Sequence, residues 1–424
     1  MMKKTVAVIL AAGEGKRMKS SVPKIIQPIC GRPMLDYTLD SVRSAGVKKI
    51  LVVVGSRAET VKRSVSGKGV EFVMQARRLG TADAVLRTKT RLASFKGDIL
   101  VLYGDTPLIK PSTIKSLIDA HKKKSAYCTM LTAYLSDPKG YGRIVRDAGG
   151  DIERIVEEWD LSAEEAERKE INPGFYCFRS PDIFSVLKKV KAGNRKKEYY
   201  LTDAVSLLSK RDVRVESLNI KDADEMLGVN SQGELSAAER IIRGRVIDGF
   251  LSEGVRIVDP SNTYIDADVT IGKDTVIFPM TVIEKDVRIG NGCKVGPFAR
   301  LRSGTVLADG AEVGNFAEVV RARIGRDTKI KHKSYTGDSV IGAGVNIGAG
   351  TITANFDGIA KNKTTIADGA FIGSGTIFIA PCSVGKGATT GAGSVVTGDS
   401  KIRAGSVVVG VPARELKKTK RVKK

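Results

Sequence analysis

From Ile265 onward an aliphatic side chain returns at every sixth position: Ile271, Ile277, Ile283, Ile289, Val295, Leu301, Leu307, Val313 and Val319. After a one-residue slip the beat resumes at Ile324 and Ile330, then at Ile341 and Ile347. It is found again at Ile366, Ile372, Phe378, Val384, Val396, Ile402 and Val408. Helical faces repeat at about 3.6 residues and pleated faces at about 2, so neither element accounts for this beat. Glycine often follows the apolar residue, as in Ile271-Gly272, Ile289-Gly290 and Val313-Gly314. A period of six with a small residue beside it predicts a parallel β-helix of hexapeptide repeats. Each hexad gives a short strand and a corner, three hexads close a triangular coil, and coils stack at roughly 4.8 Å. The beat stops between Thr353 and Ile366, where 355–363 is a polar insertion. Insertions in a solenoid become loops on one face, often the binding face.

The first half reads differently. Residues 5–10 are continuously apolar, and 49–55, 70–75 and 98–105 also read as strands. Residues 34–45, 81–92 and 111–122 read as helices, and 144–156 as a hairpin turned at Gly149-Gly150. Strands alternating with helices predict an α/β, Rossmann-like, doubly wound and mostly parallel sheet. Ligands on such sheets sit beyond the carboxyl ends of the strands. Three motifs fall there: Gly13-Glu14-Gly15, the stretch from Gln75 to Gly80-Thr81, and Tyr103-Gly104-Asp105. The first, followed by Lys16, Arg17 and Pro23-Lys24, has the make-up of a phosphate cradle, in which glycine lets backbone amides face an anion. It lacks the third glycine of a dinucleotide fingerprint, and no Gly-Lys-Ser/Thr follows as in a Walker loop. Residues 231–251 carry a helical beat (Leu235, Ala238, Ile242, Val246, Phe250) behind Asn230-Ser231 as a cap. The predicted organisation is therefore a first domain over 1–230, a helical arm over 231–252, a β-helix over 253–416 and a basic tail over 417–424.

Composition narrows the chemistry. The 424 residues suffice for two full cores, and the net charge of +23 suits phosphorylated substrates. No aromatic interleaving or reader motif accompanies that charge, so no nucleic-acid partner is expected. No apolar run reaches the length of a membrane span, and the short apolar run behind Met1-Met2-Lys3-Lys4 predicts no cleaved leader. The scattered Cys30, Cys128, Cys177, Cys293 and Cys382 lack metal or disulfide spacing and read as buried thiols of a cytoplasmic protein. Imidazole chemistry has two candidates, His121 and His332.

The motifs carry a resemblance. Leu10-Ala-Ala-Gly-Glu-Gly-Lys-Arg-Met18 with Pro23-Lys24 resembles the signature of sugar-1-phosphate nucleotidylyltransferases. After it come Leu79-Gly-Thr-Ala82, Leu102-Tyr-Gly-Asp-Thr-Pro-Leu108, Gly140-Tyr-Gly-Arg143, Ile155-Val-Glu157, Glu170-Ile-Asn172, Glu198-Tyr-Tyr-Leu-Thr-Asp203 and Gly228-Val-Asn230. That series, followed by hexapeptide repeats, resembles the bifunctional N-acetylglucosamine-1-phosphate uridylyltransferase/glucosamine-1-phosphate acetyltransferase family over nearly the whole chain. The resemblance implies a left-handed β-helix and roles for particular residues. Leu10, Ala11, Ala12, Gly13, Gln75, Gly80 and Thr81 would hold uridine, with Tyr103 and Gly104 beside them. Arg17 and Lys24 would lie along the triphosphate. Asp105 and Asn230 would ligate Mg²⁺, and Gly140, Glu157 and Asn172 would hold the N-acetylglucosamine moiety. A hard cation takes oxygen ligands, and phosphoryl transfer depends on cations set against developing charge.

In the solenoid the resemblance implies a second site. His332 would be the general base for transfer of acetyl from acetyl-CoA to the amine of glucosamine-1-phosphate. Arg302, Tyr335, Asn346 and Lys361 would hold that acceptor. Ala349, Asn355, Phe356, Ser374 and Ala392 would contact acetyl-CoA. The implied assembly is a homotrimer, with UTP and N-acetylglucosamine-1-phosphate as the substrates of the first site. The chain departs from the family at Val320, where a lysine is usual, and at Gly410, where an arginine is usual. Two other readings stay open at this point. One is a nucleotidylyltransferase of other base or sugar preference whose solenoid only assembles or regulates. The other is a non-catalytic scaffold, which predicts a decayed glycine loop and loss of Asp105.

Overall fold

A computed structural model describes residues 4–65, 69–211 and 213–416, so the 417–424 tail lies outside the described residues. Contacts divide the chain into two units: Met1–Ile29 with Pro33–Ile241, and Cys30–Arg32 with Ile242–Lys424.

The first unit is built on a ten-stranded sheet. Its strands are β1 (Lys4–Ala11), β2 (Lys49–Val54), β3 (Val70–Met74), β4 (Gly97–Tyr103), β5 (Cys128–Tyr134), β6 (Gly142–Arg146), β7 (Ile152–Val156), β8 (Glu170–Asn172), β9 (Tyr176–Arg179) and β10 (Val215–Asn219). They lie in the order β3-β2-β1-β4-β9-β5-β8-β6-β7, with β10 on β5. The neighbours from β3 to β4 are parallel. From β4 to β7 they are antiparallel, while β10 is again parallel to β5. The sheet is thus parallel over one half, where sequence reading expected a mostly parallel sheet. For one of these pairs the reason is connection length: β6 and β7 are joined by the tight turn at Asp147–Gly150, with Gly150 at φ 88° and its amide on the Asp147 carbonyl at 3.1 Å. A connection that short reverses the chain, whereas parallel neighbours need a long crossover.

Val6, Val8 and Leu10 enter the core on one face of β1, and Ala7, Ile9 and Ala11 the core on the other. A strand buried on both faces has no reason to alternate apolar with polar residues. Five helices bear on the sites: α1 (Met34–Ser44), α2 (Thr81–Leu86), α3 (Pro111–Lys124), α4 (Leu201–Ser209) and α5 (Gln232–Ser252). The helix expected over 81–92 stops early and gives way to a tighter turn, Lys89–Leu92. Thr88 is the break: its buried hydroxyl donates to the Val85 carbonyl at 2.7 Å, competing with the helical ladder.

The second unit is a solenoid of two- to four-residue strands in three parallel sheets, as in a left-handed β-helix. Val276 lies beside Lys294 and Lys294 beside Glu312, so a coil takes three hexads. The slip after Val319 shortens the next coil by one residue, and Glu312 then pairs with Lys329. The inward aliphatic and aromatic residues of the beat, from Ile265 to Val396, are buried in one continuous core, with Ile402 packed at its edge. Where the aliphatic beat is missing, a threonine fills the place. Thr336, Thr353 and Thr390 are buried on the beat. Threonine keeps the β-branched shape but needs hydrogen bonds inside. Thr353 Oγ1 accepts from the Gly337 amide at 2.7 Å, and Thr390 Oγ1 from the Gly373 amide at 3.0 Å. All five cysteines are buried, and none is in a disulfide. Among the described residues no helix is long and apolar enough to cross a membrane.

Phe378 is fully buried on the beat, so Phe378→Ala is expected to cost about 3–5 kcal/mol, read as a fall in the solenoid's urea midpoint. Ile359, 94% exposed in the insertion, is the control: Ile359→Ser should stay within about 0.5 kcal/mol of the parent.

Candidate functional site

β1, β3 and β4 are parallel members of one sheet, so the loops leaving their carboxyl ends share an edge. Two adjoining clefts open there. One, of about 420 Å³, is lined by Gly13, Glu14, Gly15, Lys16, Lys19, Arg57 and Arg78 among others. The second, of about 250 Å³, is lined by Leu10, Gln75, Gly80, Thr81, Tyr103, Asp105 and Lys24. Ala11, Ala12, Gly13, Ile25 and Arg78 border both. The first is cationic and glycine-floored, and the second is the more apolar.

Backbone geometry explains the glycines. Gly15 sits at φ 66°, and a Cβ there would stand 2.7 Å from Cβ of Lys24. Gly80, at φ 113°, lies against the Tyr199 backbone with no room for a side chain. The Gly104 amide donates to the Leu10 carbonyl at 2.9 Å, clamping the β4 loop to the end of β1. The Gln75 amide nitrogen donates to the Gly80 carbonyl at 3.0 Å and to Asp83 at 2.8 Å, which holds the α2 entry loop under the cleft.

Lys24, 8% exposed, points its ammonium at two oxygens. One belongs to the Asp105 carboxylate, with which it forms an ion pair. The other is Oδ1 of Asn230, at 2.9 Å. Backbone bonds hold these partners: the Val229 amide donates to the Asp105 carbonyl at 2.8 Å, and the Asn230 amide to Glu234 at 2.7 Å. Glu234 in turn donates its amide to Ser231 Oγ at 3.3 Å, the cap expected ahead of α5. Asp105 and Asn230 therefore present hard oxygens to one cation-sized point. Among the described residues no group of three His, Cys, Asp or Glu could hold a metal. One carboxylate and one amide oxygen nevertheless fit Mg²⁺, which takes its remaining ligands from phosphates and water.

Beside this point lies a polar cluster under Tyr103. Glu157 accepts from the Thr202 hydroxyl at 3.1 Å, and burial pushes its carboxyl above the ordinary value. Asn172 Oδ1 accepts from the Gly174 amide at 3.1 Å and from the Tyr176 hydroxyl at 2.9 Å. Burial first, then the charges of Glu157 and Asp105, raise the Tyr103 phenol above its usual range. Gly140 stands in the turn before β6, at φ 89°.

Of the expected first-site residues, the structure brings together Leu10–Gly13, Lys24, Gln75, Gly80, Thr81, Tyr103 and Asp105 along the clefts. Asn230 joins them through Lys24, and Gly104 through the clamp to β1. Arg17 is not brought in. It is exposed on the short turn Lys16–Met18, whose buried residue is Met18, and it lines neither cleft. Arg78 stands there instead, ion-paired with Glu14. Sequence reading passed over Arg78, Arg57, Lys19 and Thr202. The pair Arg77-Arg78 just ahead of Leu79-Gly80 was the available signal for the first of these.

In the solenoid, one corner carries a vertical series. Met280, Phe298, Phe316 and Lys333 all adopt positive φ there. The Lys333 amide donates to the Asn315 carbonyl at 2.8 Å, Gly350 to Lys333 at 3.0 Å, Gly375 to Ala349 at 2.7 Å and Gly393 to Ser374 at 2.8 Å. His332, exposed, therefore tops a column of Ala349, Ser374 and Ala392 on successive coils. Gly348 and Gly373 must be glycine, because a Cβ would stand 2.5 Å from backbone of the next coil. Asn346 lies on the sheet before this corner, in register with Lys329.

The next corner holds the insertion. Asp338 accepts two hydrogen bonds from Arg321, at 2.6 and 2.8 Å, and one from Asn355. The Arg321 guanidinium, above all, holds the Asp338 carboxyl below its ordinary value, and Lys361 adds to this. Asn355 is thus 7% exposed, while Phe356 beyond it is exposed. Asp357 ties the loop through the Ala360 and Ile359 amides at 2.7 and 2.8 Å, which bring its carboxyl down to about 2. Arg302 pairs with Glu318 at 2.9 Å, and Tyr335 lies in register beside Glu318 on the sheet between the two corners. Val320 is buried, and Arg321 is spent on Asp338, so neither supplies the usual lysine. Within one chain the expected acetyl-transfer residues spread over two corners and the sheets beside them.

Comparison with known proteins adds the class. The family model for the MobA-like NTP transferase domain matches residues 7–191, and that for the GMPPB C-terminal domain matches residues 260–357. The first unit is a nucleotidyltransferase domain and the second a hexapeptide-repeat solenoid. Over the whole chain, the bifunctional protein GlmU of Pelotomaculum thermopropionicum is 43% identical across 408 residues, 88% of this chain and 89% of that protein. GlmU of Shouchella clausii is 40% identical over 99% of this chain and 98% of its own. GlmU of Geobacillus thermodenitrificans is 41% identical over 95% of each. The chain belongs to the GlmU family of bifunctional enzymes.

The raised Glu157 carboxyl means that the folded chain binds this proton more tightly than the unfolded chain. Stability is therefore lost as pH rises from the ordinary value of 4.5 toward the raised one. Glu157→Gln keeps the acceptor for Thr202 without the charge. It is expected to melt above the parent at neutral pH, with the difference vanishing below about pH 4.5, as read by calorimetry.

Proposed function

We propose that this protein makes UDP-N-acetylglucosamine in two steps, one on each unit, as a cytoplasmic precursor supply for cell-wall synthesis. Acetyl moves from acetyl-CoA to glucosamine-1-phosphate on the solenoid. The N-acetylglucosamine-1-phosphate so formed then takes uridylyl from UTP on the first unit. The observation that carries the reading is the convergence of Lys24, Asp105 and Asn230 beside a glycine-floored cationic cleft, in a chain of the bifunctional family.

In the uridylyl step, a phosphate oxygen of the sugar phosphate attacks the α-phosphorus of UTP, and pyrophosphate leaves. Gln75, Gly80 and Thr81 border the apolar cleft suited to uracil and ribose, and the amides of Ala12 to Gly15 face the phosphates. Asp105 and Asn230 would hold Mg²⁺, which would offset charge on the transferring and leaving phosphates. Lys24 and Arg78 add fixed cations, with Arg78 taking the place expected for Arg17. Glu157 and Asn172, with Gly140 nearby, face the sugar. Glu157 resists ionisation unless a donor reaches it, so a sugar hydroxyl is its natural partner.

In the acetyl step the sugar amine attacks the thioester carbonyl. A C–N bond forms, the C–S bond breaks, and coenzyme A leaves. His332 takes the amine proton as general base. Arg302, Tyr335, Asn346 and Lys361 hold the acceptor. Ala349, Ser374 and Ala392 give coenzyme A a track without obstructing side chains, and Asn355 and Phe356 complete its contacts. Since these residues spread over two corners of one chain, the site is completed between subunits of a homotrimer. The stacked, exposed Phe298 and Phe316, 5.1 Å between centroids and 49% and 64% exposed, supply an apolar edge for that contact on the His332 corner.

Two assays separate the steps. Asp105→Asn should lower pyrophosphate release by about 100-fold or more while thiol release from acetyl-CoA persists. His332→Ala should lower thiol release by about 100- to 10,000-fold and leave pyrophosphate release intact. If either substitution silences both reactions in a folded protein, the two-site assignment fails. For assembly, light scattering should give a trimer mass, and Phe298→Asp with Phe316→Asp a monomer that loses only acetyl transfer.

A further inference from the structure

A lysine ammonium lies where the oxygen ligands of a divalent cation converge. Nζ of Lys24 is ion-paired with Asp105 and 2.9 Å from Asn230 Oδ1, and the side chain is 8% exposed. The bonds span 81 and 206 residues of sequence, so folding assembles them; they are not a local turn. A half-buried carboxylate without a partner is costly, and here the lysine supplies one from within the chain. The same lysine borders the cleft of about 250 Å³ that adjoins the cationic, glycine-floored one. Its stem is seated against Gly15, at the start of that floor.

We propose that the ammonium of Lys24 is a built-in stand-in for the divalent cation, held between Asp105 and Asn230 until metal and nucleotide arrive together. This deepens the metal assignment made above and rests on it. The argument is one of charge. Asp105 and Lys24 together are neutral. A divalent ion entering alone would have to expel the ammonium, or share one carboxylate with it. A nucleotide triphosphate entering alone would set several negative charges against Asp105. When both enter, the cation takes the two oxygens, and the ammonium turns to the phosphates in the cleft it already borders. Each partner of Lys24 is then replaced by a better one. Metal and nucleotide must therefore bind with positive coupling, and thermodynamic linkage makes that coupling reciprocal. The lysine does two jobs in succession, filling the metal position in the empty enzyme and gripping phosphate in the loaded one. An empty site that refuses free metal also keeps a pocket primed for phosphate from being poisoned by adventitious divalent ions.

The test uses Mn²⁺ as the metal, without nucleotide, and reads bound ion by electron paramagnetic resonance on the full chain. Lys24→Met keeps the stem and removes the charge. It is expected to bind Mn²⁺ at least about tenfold more tightly than the parent, since a competing cation has been removed. The gain should disappear in the double variant with Asp105→Asn. If parent and Lys24→Met bind Mn²⁺ equally, and Asp105→Asn abolishes binding in both, the metal site stands and the stand-in role is overturned. If Mn²⁺ binding never depends on Asp105, even with UTP present, the metal assignment itself falls, and this inference with it. Should Lys24→Met fail to fold, amine labelling of the parent, read by mass spectrometry at Lys24, decides instead. Mn²⁺ alone should raise labelling by expelling the ammonium, and unchanged labelling at saturating Mn²⁺ overturns the proposal.

Discussion

Lys24, Asp105 and Asn230 come from three distant stretches of the chain, and their side chains meet at one half-buried point. Much of the first unit is arranged to make that meeting possible. Parallel pairing of β1, β3 and β4 sets their outgoing loops on one edge. The clamp from Gly104 to Leu10 fixes the height of Asp105 against the glycine loop. Hydrogen bonds of Glu234 to the Asn230 amide and to Ser231 deliver Asn230 at the head of α5. Opposite charges kept from water interact strongly only when their geometry is held, and here backbone hydrogen bonds hold it.

The solenoid answers a different constraint. A coil of three short strands has room for one inward side chain per hexad, so the interior admits β-branched and aliphatic residues and excludes nearly all else. Everything chemical must then sit on the outside: at corners, on the outer faces of the sheets, or in an insertion. The corner with His332 is lean below it because coil stacking leaves no space for a Cβ at Gly348 and Gly373. The insertion is braced by Asp338 and Asp357, so its position follows from hydrogen-bonded carboxylates and owes nothing to the repeat. The two units divide the work by geometry. One recesses its groups in a cleft at a sheet edge, and the other displays them on its outer surface.

Period and punctuation in the sequence were enough to determine the architecture. The beat of six marked the inward column residue by residue. The uninterrupted apolar run of β1 marked a strand covered on both sides, and Asn230-Ser231 marked the head of α5. Glycine positions marked the loops at the sheet edge, because a Cβ at Gly15 would press on Lys24 and one at Gly80 on the Tyr199 backbone. Such features are local, and local sterics are written in residue type. Tertiary structure alone decided the rest. The antiparallel half of the sheet depends on which strands find each other across long gaps, and Thr353 and Thr390 pass for core only once neighbouring amides satisfy them. Arg78 stands at the cleft and Arg17 outside it, though both are basic residues near a glycine motif. Arg17 stays exposed on the turn whose buried residue is Met18, while Arg78 is held by its ion pair with Glu14. Likewise no spacing rule places a lysine between a carboxylate and an amide so far along the chain, because that contact exists only when the whole unit has closed around it.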